Sequence, residues 1–221
     1  MISISFFVIA GTDGSGKATQ TELLRKNLHE MGKEVLVVDF PNYSSVYGKL
    51  IGRYLNNEFG PAHKVDPYLA SVLYAEDRRL QKEKMLEALS QGKILLANRY
   101  VESNAAHQSI KLPEEKRKSF LDWLYNLEFT ISGLPKPSRT FFLYLPYVFR
   151  KKLMEKRGDR GYINGLDGHE ANINHQTAAE KQYLWLAEHD RWQVIKCEHE
   201  GSLRTKQEIA KELLSCVQDI L

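Results

Sequence analysis

Apolar residues arrive along this chain in short continuous runs, separated by stretches with helical spacing. Ser5-Phe6-Phe7-Val8-Ile9-Ala10 is the first run and ends at a glycine-rich turn, the pattern of a parallel strand covered on both faces. Leu23, Leu24, Leu28 and Met31 then recur at helical spacing until Gly32 stops the helix. Glu34-Val35-Leu36-Val37-Val38-Asp39-Phe40 reads as a second buried strand, closing a βαβ unit. Residues 67–90 carry one long helical pattern, and Ile94-Leu95-Leu96-Ala97 a third strand ending at Asn98-Arg99-Tyr100.

Residues 114–131 are charged on one face and apolar on the other, with Pro113 at the helix start, and Thr140-Phe141-Phe142-Leu143-Tyr144-Leu145 supplies a fourth strand. A helix over 176–187, a fifth strand over 192–196 and an amphipathic helix over 205–220 complete the chain. Strands alternating with helices predict a three-layer α/β sandwich of the P-loop type: a five-stranded parallel sheet with helices on both faces. The 221 residues suit a single domain. One stretch, 156–168, is too rich in glycine and charge to read as packed structure and marks a mobile lid at about 150–170.

Charge changes this picture little. The 31 Lys+Arg against 28 Asp+Glu leave a net charge of only +3, far from the basic face of a general nucleic-acid binder, so no nucleic-acid partner is expected. Two cysteines, Cys197 and Cys216, are too few for a disulfide framework or a structural zinc site. No basic region precedes the first apolar run, and no run approaches the roughly 20 residues that span a bilayer, so no membrane partner is expected either and a cytoplasmic location follows.

The chemistry starts at the first turn. Gly11-Thr12-Asp13-Gly14-Ser15-Gly16-Lys17 fills seven of the eight positions of a phosphate-binding loop, between a strand and a helix. Glycines let backbone N–H groups turn in around an anion, the helix presents its positive end, and Lys17 reaches the outer phosphates. ATP is therefore expected against Gly11, Asp13, Gly14, Ser15, Gly16, Lys17, Ala18 and Thr19. The eighth position, Ala18, lacks the hydroxyl that usually ligates magnesium, and Thr19 points about 100° away along the helix.

Beyond the loop, Phe40-Pro41, Leu73-Tyr74-Ala75-Glu76-Asp77-Arg78, the segment from Asn98-Arg99-Tyr100 to Ala106-His107-Gln108, and Gly133-Leu134-Pro135-Lys136-Pro137 resemble thymidylate kinase segments in thymidylate kinase order. The resemblance implies a kinase that moves the γ-phosphate of ATP to dTMP as a homodimer. It implies that Asp13 accepts from the deoxyribose 3′-hydroxyl, Tyr74 stacks on thymine, and Arg78, one helical turn later, bonds its edge. Phe40 would line the base pocket. Asn104, His107 and Gln108 would lie along base and sugar, and Tyr162 near C2′. Taken singly, Tyr74 reads as core, Arg78 as a surface ion pair, and His107 equally as packing.

Arg99, just beyond a parallel strand's carboxyl end, is placed to grip the acceptor's phosphate. With no arginine in the loop, the resemblance points to a subtype whose catalytic arginine comes from the lid, with Arg160 near the transferred phosphate and Arg157 near adenine. Lys17, Arg99 and Arg160 form the expected catalytic set.

Two oxygens are missing against the family pattern, a hydroxyl at Ala18 and a carboxylate at Asn98. The metal's protein ligands are thus left open, with Mg2+ carried mainly by the nucleotide and Asp167 or Glu170 as possible helpers. Two rivals stand beside this reading. A deoxynucleoside kinase of the same fold would use a base such as Asp39, and a non-catalytic nucleotide-binding regulator would be recommended by Ala18 and Asn98.

Overall fold

A computed structural model describes residues 5–155 and 173–221. Five parallel strands form one sheet in the order β2-β3-β1-β4-β5, with β1 (Phe6–Gly11) at its centre, β2 (Val35–Asp39) and β3 (Ile94–Asn98) on one side, and β4 (Arg139–Tyr144) and β5 (Gln193–Lys196) on the other. Period-2 alternation divides β1 between two cores. Phe6, Val8 and Ala10 pack under α5 (Val101–Ser109), α6 (Glu114–Tyr125) and α8 (Ile173–His189). Phe7 and Ile9 pack under α1 (Lys17–Glu30) and α9 (Lys206–Gln218). The expected sandwich is therefore the one observed. No helix among the described residues is long and apolar enough to cross a membrane.

A third, smaller cluster sits apart from the sheet, where Ile51, Tyr54 and Leu55 of α2 (Val46–Leu55) pack with Ala62 and with Ala70 of α3 (Pro67–Arg79). Asp77 of α3 ties down the loop after β2, accepting from Asn42 N at 2.8 Å and from Ser45 Oγ at 2.5 Å. Ser45 in turn caps α2, its Oγ accepting from Gly48 N at 2.8 Å. Gly48 has to be glycine, because a Cβ there would lie 1.8 Å from the Asn42 carbonyl oxygen.

The helix expected over 67–90 is two helices, α3 and α4 (Lys82–Ser90). No glycine or proline marks the break. Packing imposes it, because α3 docks on α2 and α5 while α4 docks on β3. The helix expected to reach Ile131 is α-helical to Tyr125 and then widens into a π turn over Asn126–Ile131, with Ser132 N bonding back to Leu127 O at 2.9 Å. Three helices, α2, α5 and α7 (Tyr147–Glu155), were not expected, although α2 carries a clear apolar stripe through Ile51, Tyr54 and Leu55. Residues 150–155, the start of the expected lid, are the end of α7, and Arg150 there is fully buried.

Candidate functional site

The carboxyl ends of β1, β2 and β3 open onto a cavity of about 850 Å³. Such a crevice is where open parallel sheets bind ligands. At one end lies the glycine-rich loop. Gly16 caps α1 in the left-handed region, φ 89°, and offers no side chain to the first helical N–H groups, which leaves them pointed at the cavity. Lys17 is buried and its Nζ donates to Thr12 O at 2.8 Å, folding the cation over the loop where an anion's outer oxygens would sit. Ala18 and Thr19 are exposed on the same wall, while Gly11 and Ser15 lie inside the loop, buried, with no donor to Ser15 Oγ.

At the other end the lining turns aromatic. Phe40 packs tilted against Tyr100 with centroids 5.9 Å apart, and Tyr74 stands half-buried, edge-on to Tyr54 at 6.3 Å. Asn104 and His107 line the wall beside them from α5. Asn104 is bound to α3, its Nδ2 donating to Ser71 O at 3.3 Å, while Gln108 Oε1 is buried without a donor. His107 Nδ1 lies 3.2 Å from His175 Nε2, the two rings stacked at 5.5 Å. Burial drives His107 down to about 3 and His175 to about 4, so both rings are neutral near pH 7.

Arg99 stands between the two ends. It follows β3 with φ 66°, a left-handed conformation rare for arginine that turns the side chain into the crevice. Its Nη2 donates to Asp13 Oδ1 of the loop. Burial works against the charge of each partner, but the opposite charge overrides it: the Arg99 pKa is raised, and the Asp13 carboxyl is held well below its ordinary range by Arg99 and Lys17.

Arg78 reaches the cavity as one member of a buried ion pair. Its Nε donates to Glu128 Oε2 at 3.0 Å, Nη2 bonds Glu128 Oε1, and Nη1 donates to Tyr100 O at 3.3 Å. The Arg78 side chain is 2 % exposed and Glu128 0 %. The surface ion pair expected of Arg78 read alone is thus a core one.

Every site residue expected from the sequence between Gly11 and Gln108 lies in the loop or on this cavity's wall. Arg157, Arg160 and Tyr162, with Asp167 and Glu170, fall outside the described residues. Two participants were missed. Glu128 lies on the buried face of its helix, seven residues after Leu121 and four after Leu124, and a carboxylate in that apolar row was its signal. Arg150 has fainter traces. Its guanidinium donates to Asp13 O at 3.2 Å, to Leu145 O and Gln176 Oε1 at 2.9 Å, and to Glu180 Oε2 at 2.6 Å, tying α7 and α8 to the loop.

Comparisons with known proteins point to one family. Residues 9–209 match the family model for thymidylate kinase. A probable thymidylate kinase of Pyrococcus horikoshii is 32% identical over 185 residues, 83% of this chain and 82% of that protein. A thymidylate kinase of Mycobacterium tuberculosis is 29% identical over 192 residues, 85% and 89% of the two chains. The solved thymidylate kinase of Candida albicans superposes with a TM-score of 0.75 at 21% identity, covering 97% of this chain and 91% of that one, a likeness of fold.

Proposed function

The chain belongs to the thymidylate kinase family, and from that premise we propose that it transfers the γ-phosphate of ATP to dTMP, giving dTDP and ADP. One observation carries the reading: a single cavity has a phosphate loop at one end and an aromatic slot at the other, with a guanidinium between. A nucleoside monophosphate has its own anionic phosphate, so its attack needs no general base, and the protein's work is positioning and charge neutralisation.

In this proposal Lys17 leaves the Thr12 carbonyl for the β- and γ-phosphates. Arg99 moves from Asp13 to the acceptor's phosphate, which frees the Asp13 carboxylate for the 3′-hydroxyl. Tyr74 and Phe40 enclose the base, with Arg78, Asn104, His107 and Gln108 along its edge and the sugar. Arg78 has little to spare, because two of its nitrogens bond Glu128 and the third is shared with Tyr100.

Magnesium belongs to the proposal through ATP, whose phosphates it would neutralise. The residues fit an ion that keeps much of its water: Asn98 Oδ1 is a buried acceptor lacking a donor, on the cavity wall one strand from the loop. Pairing of two copies is also proposed, supported by Leu69 and Val72, exposed about one turn apart on α3. Sedimentation equilibrium is expected to give a dimer mass, and a monomer at all concentrations would refute it.

ADP release measured across nucleoside monophosphates tests the activity. We expect dTMP to give the highest kcat/KM and thymidine none. Turnover of thymidine without turnover of dTMP would replace this reading with a nucleoside kinase.

A further inference from the structure

Magnesium bound beside a nucleotide needs anionic oxygen around its water shell, and in phosphate-loop enzymes a loop hydroxyl and a strand-end carboxylate commonly supply it. This chain has alanine at the first position and an amide, Asn98, at the end of the strand next to β1. Among the described residues lining the cavity, the only carboxylates are Asp13 and Asp39. Asp13 is engaged at both oxygens, Oδ1 with Arg99 and Oδ2 with Gln176 Nε2 at 3.5 Å.

Asp39 is placed differently. It ends β2 directly opposite Asn98 in the sheet register and is exposed to the cavity. Its Oδ1 accepts from Asn98 Nδ2 at 2.9 Å, so the amide aims the carboxylate. Burial raises its pKa, opposed by the Asn98 hydrogen bond and by the charges of Arg99 and Lys17, which line the same cavity. The amide's other atom, Asn98 Oδ1, is buried and has no donor, although Asn98 is 92 % covered and lines the same wall. A buried acceptor without a partner is costly unless a ligand or its water completes it.

We propose that Asp39, oriented by Asn98, is the carboxylate that holds the water shell of the magnesium accompanying ATP, with Asn98 Oδ1 accepting from one of those waters. The charge that other phosphate-loop enzymes carry on the strand beside the loop is here displaced one strand outward, and the amide bridges the gap. Position 18 then needs no hydroxyl. This rests on the ATP-dependent transfer proposed above, but its test does not involve the acceptor.

Mn2+ serves as the probe, titrated by electron paramagnetic resonance into the full chain with ADP. Asp39→Asn, which keeps the shape of the side chain, is expected to weaken Mn2+ binding to the ADP complex about tenfold, as loss of an outer-shell metal partner does. ADP affinity in EDTA should not change. The swapped variant Asp39→Asn/Asn98→Asp keeps an amide–carboxylate pair, moves the charge to β3, and is expected to restore Mn2+ affinity.

Unchanged Mn2+ affinity in Asp39→Asn overturns the proposal and leaves Asp39 as a proton acceptor or structural group. Parallel loss of Mn2+ affinity and metal-free ADP affinity in both variants overturns it too, because the effect is then one of folding. A protein inactive on dTMP that still loses Mn2+ affinity on Asp39→Asn would sink the activity reading and leave this one standing.

Discussion

Replacing Lys17 by methionine is expected to lower kcat for phosphoryl transfer about 10²–10³-fold, roughly 3–4 kcal/mol of transition-state stabilisation, the scale of losing one preorganised donor to developing charge. Methionine keeps most of the stem's length and apolar contact, and the lost charge-assisted hydrogen bond to Thr12 O, worth about 1.5–3 kcal/mol, is offset in part because a charge is no longer buried. Stability should therefore change little while turnover collapses. Steady-state kinetics with ATP and dTMP check this alongside a denaturant melt. A kcat within a few-fold of the parent would remove Lys17 from the reacting phosphate.

The largest stability effect is expected at Glu128. Truncation to alanine strands the Arg78 guanidinium in the core, where both side chains are at least 98 % covered. Breaking a buried pair from one side costs about 3–5 kcal/mol. In a chain of this size, that lowers Tm by about 6–20 °C. Removing both charges tells a different story. Arg78→Met/Glu128→Leu is expected to recover most of the stability, because a packed apolar pair avoids the desolvation cost. If Arg78 also touches the acceptor base, the double variant will still show a raised KM for dTMP with KM for ATP unchanged. A double variant no more stable than Glu128→Ala would show that the pair is not the source of the loss.

How much of this was legible in the sequence depends on the range over which each residue acts. The apolar runs behind β1 to β4 and the glycines of the 11–17 loop are local signals, set by the two-residue pleat and by backbone conformations other residues resist, and each lies where its pattern put it. Arg99 was legible because a strand end opens onto a crevice whatever the rest of the chain does. Arg78 was placed on the cavity wall, but its partner, 50 residues on, has no local trace beyond a carboxylate in an apolar row. The break between α3 and α4 is invisible for the same reason, since two docking partners impose it and no residue in the break does. In the sequence Arg150 is only one cation at the edge of the expected lid. Only the folded chain gathers the four groups that bury it.

The contact between Arg99 and Asp13 joins the halves of the cavity in a way that reaches past geometry. In the proposed transfer Asp13 belongs to the loop that receives the donor and Arg99 to the strand end that faces the acceptor, and in the structure each is the other's counter-ion. Whichever ligand arrives first has to break or keep that pair, so it alters the free energy left for the second. Thermodynamic reciprocity then requires the nucleotide to change acceptor affinity by the same factor as the acceptor changes nucleotide affinity. On that proposal the order of addition is a kinetic choice laid over one shared coupling energy, to which this hydrogen-bonded ion pair contributes.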